Sequence, residues 1–306
     1  VLAAALVAPA LVAPVATPVP VTAAAVTAPL PVPPPLPVPA PGQSLRERAE
    51  QAKQRLDTRG DVPDVLAAWG MDTGSGKLAV DVVGRDTTVA TAFLLAAGID
   101  PATVVLRTEA PRNRLFYDLV GGDAIHTGIA RCSLGVTARN GAGQRFVLTA
   151  GHCTKGSSVW LGRNRVPIGQ TRATDFPRDD FGAIAVTNSA WKSTAKVTGG
   201  PTIKGSGPAT VGSRVCRSGS TTGYRCGVIQ ALNQTVNYGN GEVVMGLTET
   251  NACAEPGDSG GTFITPAGQA QGFTSGGSGD CKTGGTVYFQ PLKEALSRYG
   301  LTLTTG

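Results

Sequence analysis

Hydrophobic and polar positions divide the chain into three stretches with different periods. Residues 1–42 are apolar without any period and are broken repeatedly by proline. Over 43–58, Leu45, Ala49, Ala52 and Leu56 recur at helical spacing, with Ser44 placed to cap the helix and Gly60 to stop it. Residues 77–83 alternate as a strand, 86–97 read as a helix closed by Gly98, and 103–107 read as a second strand. A strand–helix–strand unit of this size buries little surface alone and is expected to pack on something else. From Val120 the pattern changes to short β-like runs broken by Gly, Asn and Ser, at 146–149, 158–161, 182–186, 227–232, 242–248, 262–264 and 284–289. Many short strands with regular turn signals predict an all-β sandwich or barrel. One helix is predicted near the end. Pro291 starts it, Leu292, Leu296 and Tyr299 share a face, and Gly300 ends it.

Composition sharpens this partition. The 306 residues contain 41 Gly, 22 Pro and 6 Cys, and 41% are hydrophobic. That apolar fraction excludes wholesale disorder, and the glycine content excludes a long coiled coil. No proline-free apolar run is long enough to span a bilayer, so no stable membrane insertion is expected. Twelve prolines lie between Pro9 and Pro41, and the first charged residue is Arg46. Residues 1–16 carry the apolar part and Ala8-Pro9-Ala10 the small residues of a secretory signal, as does Ala23-Ala24-Ala25. The basic n-region and an initiator Met are missing, so the chain is expected to begin inside a signal sequence. Residues 26–41 then read as an extended proline-rich linker. Residues 1–118 hold 10 Lys+Arg and 11 Asp+Glu, against 17 and 10 in 119–306, so the net +6 sits wholly in the last segment. A charge this mild does not specify nucleic acid, and no nucleic-acid partner is expected.

All six cysteines lie between Cys132 and Cys281, which in an exported chain reads as three disulfides. Of fifteen pairings, sequence proximity suggests Cys132–Cys153, Cys216–Cys226 and Cys253–Cys281. With no Cys-x-x-Cys and two histidines in the whole chain, neither a metal nor any other cofactor is expected. Arg59-Gly60-Asp61 spells an adhesion tripeptide and is read as a chance occurrence. Asp180-Phe181-Gly182 spells the metal-binding tripeptide of protein kinases, but the Gly-rich loop, strand lysine and His-Arg-Asp loop of that machinery are missing upstream.

Three short stretches carry the chemistry. Thr149-Ala150-Gly151-His152-Cys153 sets a histidine at the end of an apolar run. Gly257-Asp258-Ser259-Gly260-Gly261 sets a serine among residues without side chains, where a carbonyl can approach and the N–H groups of Gly257 and Ser259 can meet a developing oxyanion. Arg178-Asp179-Asp180-Phe181-Gly182 supplies an acidic pair. Singly, each has a bland reading: a structural histidine, a glycine turn, a solvated pair. Together, His152, Asp180 and Ser259 stand in the order His…Asp…Ser that chymotrypsin-type proteases use. In such a site Ser259 attacks a carbonyl carbon, His152 takes and returns the proton, and Asp180 holds the imidazole.

Residues 119–306 closely resemble the streptogrisin and α-lytic protease group of bacterial chymotrypsin-like serine endopeptidases. The matching stretches include Gly121-Gly122-Asp123-Ala124-Ile125, Arg131-Cys132-Ser133-Leu134-Gly135, Cys216-Arg217-Ser218-Gly219, Cys253-Ala254-Glu255-Pro256-Gly257-Asp258-Ser259 and Phe289-Gln290-Pro291. Residues 64–112 resemble that group's propeptide less specifically. The resemblance implies two six-stranded antiparallel β-barrels with a C-terminal helix after a small α+β pro-domain. It implies that 43–118 is a folding chaperone, removed by self-cleavage near Leu119, and that 119–306 is the mature enzyme, a monomer acting on polypeptides. It favours Asp180 over Asp179 as the triad acid, and Ser275 as that acid's hydrogen-bond donor. It lines the substrate cleft with Ala254, Glu255, Pro256, Thr274, Ser275, Gly276 and Gly277. An acid selecting Lys or Arg would stand at Cys253, and a histidine selecting Glu at Thr274, so a large apolar or aromatic P1 residue is expected, modified at the rim by Glu255 and Asp280. Two rival readings are a protease-fold binding protein without catalysis and a cell-wall or adhesion module using the proline-rich arm.

Overall fold

The computed structural model describes residues 40–128 and 130–306; the signal-like and proline-rich segments read from residues 1–39 lie outside them. The described residues divide into two compact units, with the boundary between Asn113 and Arg114.

The first unit contains α1 (Leu45–Asp57), β1 (Leu66–Met71), β2 (Leu78–Val82), α2 (Thr88–Ala96) and β3 (Val104–Arg107). Ser44 caps α1 reciprocally with Glu47: Glu47 N–H donates to Ser44 Oγ at 3.2 Å, and Ser44 N–H donates to Glu47 Oε2 at 2.8 Å. The periodic positions Ala49, Ala52 and Leu56 are buried. β2 pairs antiparallel with β1 and parallel with β3, so α2 is the crossover of a β–α–β unit. β1 is a strand that the pattern did not predict: Leu66 is its one fully buried residue, so no alternation marks it. Its pairing completes a core of the unit's own, around Leu56, Leu78, Val80, Leu94 and Ile99.

The second unit is almost entirely β. Its first half comprises β4 (Tyr117–Gly121), β5 (Ala124–His126), β6 (Arg131–Ser133), β7 (Val136–Arg139), β8 (Arg145–Thr149), the short helix α3 (Gly151–Thr154), β9 (Val159–Leu161), β10 (Pro167–Asp175), β11 (Phe181–Val186) and β12 (Trp191–Val197). The second half comprises β13 (Arg214–Gly219), β14 (Gly223–Asn237), β15 (Val243–Thr250), β16 (Thr262–Ile264), β17 (Ala270–Asp280), β18 (Gly284–Pro291), α4 (Leu292–Tyr299) and β19 (Thr302–Leu303). The second half closes as a six-stranded barrel, in the order β13-β14-β15-β18-β17-β16. In the first half, β5 to β11 form an eight-stranded sheet with the C-terminal β19, the short β6 and β19 being its two edges, while β4 and β12 pair parallel as a separate two-stranded sheet.

The predicted strands lie within or overlap β8, β9, β11, β14, β15, β16 and β18. α4 starts after Pro291 and ends at Gly300, whose φ of +62° is the left-handed cap that glycine adopts without strain. Disulfides join Cys132 to Cys153, Cys216 to Cys226 and Cys253 to Cys281. One apolar cluster holds Phe146, Leu148 and Phe181 from the first half together with Ile264, Phe273 and Leu292 from the second. The two halves therefore share a core, and residues at its edge are fixed by both.

Candidate active site

β8 runs buried as far as Thr149, and α3 then lifts His152 off its end. Gly151 lets the next segment come close: a Cβ there would stand 2.9 Å from Phe181 N and 3.0 Å from Phe181 O. That contact brings Asp180 under the histidine. His152 Nδ1 lies 3.1 Å from Asp180 Oδ1 and 2.9 Å from Oδ2, and the His152 backbone N–H donates to Oδ1 at 2.9 Å. Ser275 Oγ donates to Oδ2 at 2.5 Å. The Asp180 side chain is 1% exposed, whereas Asp179 is 35% exposed and faces Arg298. Of the two adjacent carboxylates, only Asp180 meets the imidazole.

Burial opposes the charged imidazolium, but the Asp180 charge and hydrogen bond, with a further contribution from Glu242, outweigh it and raise the His152 pKa. Glu242 also pairs with Lys155 at 3.0 Å. The ring of Phe176 stands edge-on to His152, 5.9 Å between centroids, with Lys155 Nζ over its face at 5.1 Å. A histidine that serves as general base must be neutral, so that role for His152 predicts activity that falls as pH drops through its pKa. Glu242→Gln removes an anion that favours the imidazolium. The acid limb of the kcat/KM profile is therefore expected to move to lower pH, and an unmoved limb would show that Glu242 does not act on the imidazole.

Ser259 sits in the turn between Cys253 and β16. The turn docks on the first half of the unit: Ser133 N–H donates to Ser259 O at 2.8 Å, and a Cβ on Gly260 would lie 2.9 Å from Ala150 N, two residues before His152. Gly260 N–H donates to Thr274 O at 2.8 Å, which ties the turn to the strand carrying Ser275. Gly257 has φ +96°, a conformation that favours glycine. The Pro256 carbonyl accepts from Thr221 Oγ1 at 2.8 Å, and the Asp258 carbonyl accepts from Gly261 N–H at 3.0 Å. A trans peptide points its N–H opposite its C=O. The Gly257 and Ser259 N–H groups therefore face away from those partners, as oxyanion donors must.

Two residues that the motifs did not assign hold this turn. Arg217 and Asp258 form an ion pair with both side chains 0% exposed and a 3.2 Å contact that is not aligned as a hydrogen bond. Asp258 also accepts from Thr221 N–H at 2.9 Å, Thr222 N–H at 3.1 Å, Thr222 Oγ1 at 2.7 Å and Glu255 N–H at 3.0 Å. Arg217 donates to Cys253 O from Nε at 3.0 Å and from Nη2 at 2.8 Å, and Nη2 also meets Thr222 Oγ1. Burial opposes the Asp258 charge, yet Arg217 and the hydrogen bonds hold its carboxyl below the ordinary range. The signal in the sequence was a charged residue, Arg217, inside the β13 run between Cys216 and Ser218.

The expected cleft residues fall on two adjoining segments. Ala254 packs against the core of the second barrel, and Glu255 Oε1 accepts from Cys281 N–H at 3.3 Å. Thr274 is buried, with its hydroxyl directed to Gly261 O at 3.3 Å. With the Ser275 hydrogen directed to Asp180, Tyr238 Oη donates to Ser275 Oγ at 3.1 Å and closes on Gly276, where a Cβ would stand 2.7 Å from its ring. Burial pushes the Tyr238 phenol up to about 12, so it stays neutral. Gly277 lies against Val287 of β18. The Asp280 carboxylate is taken up in its own turn by Lys282 N–H and Thr283 N–H, at 2.7 Å each. Among the described residues, the one close group of possible metal ligands is Cys132, Cys153 and His152. The two sulfurs are bonded to each other, which removes them as thiolate ligands.

A β-barrel pair with a carboxylate–imidazole couple at its seam and a glycine-flanked serine docked beside it defines a chymotrypsin-like protease fold. Residues 119–297 match the trypsin family model and residues 50–101 match the alpha-lytic protease prodomain. The chain belongs to the trypsin family of serine proteases, in the streptogrisin-like group with an alpha-lytic-type prodomain. It is 41% identical over 271 residues to Streptogrisin-C from Streptomyces griseus, covering 86% of this chain and 58% of that protein. It therefore spans little more than half of that relative's length. The structure of Thermobifida fusca Protease A is 46% identical, with a TM-score of 0.57 over 62% of this chain and 100% of that one. A solved glutamic-acid-specific serine protease, described as using a histidine triad in substrate binding, is 39% identical with a TM-score of 0.56, over 60% and 100% of the two chains.

Proposed function

We propose that the chain is the precursor of a secreted serine endopeptidase whose catalytic groups are His152, Asp180 and Ser259. The observation that carries this reading is the two-oxygen grip of Asp180 on His152 Nδ1, at 3.1 and 2.9 Å, beside the turn that bears Ser259. Ser259 Oγ attacks the scissile carbonyl carbon while His152 Nε2 takes its proton. The oxyanion is met by the Gly257 and Ser259 N–H groups. His152 then protonates the leaving amine, and water repeats the sequence on the acyl-enzyme. Asp180 keeps the imidazole in the tautomer with its proton on Nδ1. A fluorophosphonate is expected to label Ser259; failure of the folded protein to react would favour a silent protease-fold binding protein.

The P1 preference is proposed to be large apolar or aromatic. The position where an acid would select Lys or Arg is Cys253, which is bonded to Cys281. The chain has two histidines, one of them His152, so a substrate-binding histidine triad cannot be assembled. Chromogenic peptides ending in Phe, Leu, Arg and Glu test this. Phe or Leu is expected to exceed Arg and Glu in kcat/KM by about 10²-fold or more, the scale on which a site rejects a group it cannot pair, and a preference for Arg or Glu would end it.

Export is supported by the three disulfides, which belong to oxidising compartments. The boundary between pro-segment and enzyme is proposed to lie just before β4. Leu119 is 1% exposed within that strand, whereas Leu115 and Phe116 are 71% and 61% exposed ahead of it. Cutting after Phe116 would use an accessible segment and the same aromatic preference, and would leave Tyr117 as the new terminus, two residues earlier than the Leu119 that the resemblance implies.

A further inference from the structure

The Phe289-Gln290-Pro291 stretch has no part in the reading above, yet its glutamine touches the catalytic aspartate. Gln290 is 0% exposed, at the end of β18 where the chain turns into α4. A buried primary amide must satisfy both a carbonyl and an NH2 group. Gln290 Oε1 accepts from the backbone N–H of Asp180 at 2.9 Å, across 110 residues of sequence. Gln290 Nε2 donates to Glu294 Oε2 at 2.5 Å, in the first turn of α4. An ionised carboxylate only accepts, so Glu294 fixes which way the amide lies and keeps its oxygen toward Asp180. The neighbouring strand β17 pairs with β18 and presents Ser275 Oγ to the carboxylate of the same aspartate. Asp180 is thus held by the second barrel at two points, its side chain by Ser275 and its peptide by Gln290. α4 also braces the flanks of this segment. Tyr299 Oη donates to Asp175 Oδ2 at 2.7 Å and to Phe181 O at 3.2 Å, and Arg298 lies 3.4 Å from Asp175 and 3.7 Å from Asp179.

We propose that Gln290, oriented by Glu294, is a positioning residue for catalysis that fixes the main chain of Asp180 and thereby the aim of its carboxylate at His152. The physical reason is leverage. The Asp180 carboxylate contacts His152 through both oxygens, and a rotation of the peptide before Asp180 would lengthen one of those contacts. A shift on the order of 1 Å in such a group can cost about 10²-fold in rate. Without Gln290 the Asp180 N–H would lose this buried acceptor, and the peptide would turn to seek another. This inference rests on the triad reading given above.

The test is made on the full chain and its processed enzyme. Gln290→Met keeps the volume and removes the acceptor. It is expected to lower kcat by about 10- to 100-fold with KM nearly unchanged, and to move the acid limb of kcat/KM to lower pH as Asp180 loosens its hold on the imidazole. Asp180, Glu242 and the Lys155 paired with Glu242 are the charged groups around that ring. The exposed Glu294→Ala change is expected to shift kcat and the limb in the same directions by a smaller factor, because the amide is then free to flip. The exchange variant Gln290→Glu/Glu294→Gln keeps an acceptor on Asp180 N–H and a donor from α4, and is expected to recover most of the Gln290→Met loss. Folded Gln290→Met with unchanged kcat and limb overturns the proposal. If Gln290→Met does not fold, unchanged values in Glu294→Ala overturn it instead. A Ser259→Ala variant that retains hydrolysis would sink the triad reading itself; a dead Ser259→Ala beside a normal Gln290→Met sinks only the role of Gln290.

Discussion

Ser259→Ala is expected to lower kcat by about 10⁶-fold while leaving the fold and the three disulfides in place, and to stop release of the pro-segment. The scale follows from how a nucleophile, base and acid act as one unit. Removing the nucleophile alone costs nearly as much as removing all three, and what remains comes from binding and the oxyanion donors. The substitution is small, and the turn it sits in is held by other groups: Ser133 N–H on the Ser259 carbonyl, Gly260 N–H on Thr274 and the Asp258 network. Alanine keeps each of these, so a folded, inert protein should result. Two readouts on one sample check it. Fluorophosphonate labelling should vanish, and gel mobility with N-terminal sequencing should show the uncut precursor, where the parent shows a new terminus just before β4. Release at the same bond from purified Ser259→Ala would mean that another protease makes the cut. Retained hydrolysis would mean that Ser259 is not the nucleophile.

Arg217→Met is the second large effect. It leaves the Asp258 carboxylate buried without its cation, and it strips Cys253 O of two donors. Removing one partner of a buried ion pair costs about 3–5 kcal/mol. The four other hydrogen bonds to Asp258 soften that loss, so the lower end of the range is expected. Because Asp258 immediately precedes Ser259, the loosened turn should also misplace the oxyanion donors and lower kcat by about 10²-fold, the scale of losing one such donor. Denaturant unfolding at unchanged slope reads the first quantity and peptide hydrolysis the second. Arg217→Met/Asp258→Asn removes the stranded charge and is expected to regain part of the stability without the activity. Wild-type values for both quantities in Arg217→Met would show that the pair is incidental. The sign with pH is fixed as well. The Asp258 pKa is depressed in the fold, so its contribution is present above the ordinary aspartate range and fades as pH falls through the depressed value.

These two experiments probe different kinds of information in the chain. Ser259 could be picked out in the sequence as a candidate nucleophile because such a residue needs small neighbours, and Gly257, Gly260 and Gly261 are visible as letters. The helix α1 was visible for the same reason: its Ser44 cap and its apolar spacing are local, although it ends at Asp57 with Thr58 as the cap, ahead of the Gly60 read as its stop. The strand β1 was not, because Leu66 alone is fully buried and only pairing with β2 makes the segment a strand. Arg217 reads as an ordinary cation among strand residues. Its burial opposite Asp258 depends on β13 passing behind a turn that lies more than 30 residues further along the chain.

The chemistry on offer was legible in the chain: a histidine, an adjacent pair of aspartates and a serine near glycines in protease order, six cysteines whose proximity suggested but did not fix their pairing, and strands long enough for barrels. These are short-range properties, set by side-chain size, backbone freedom and period. The tertiary structure decided what long-range geometry controls. It turned Asp180 rather than Asp179 to His152, and it brought Ser275 and Gln290 to that aspartate from strands about 100 residues away. It also paired Arg217 with Asp258. The physical reason is that a buried polar group must find partners wherever the fold delivers them, and residues distant in sequence become neighbours only when the two halves close on a common core.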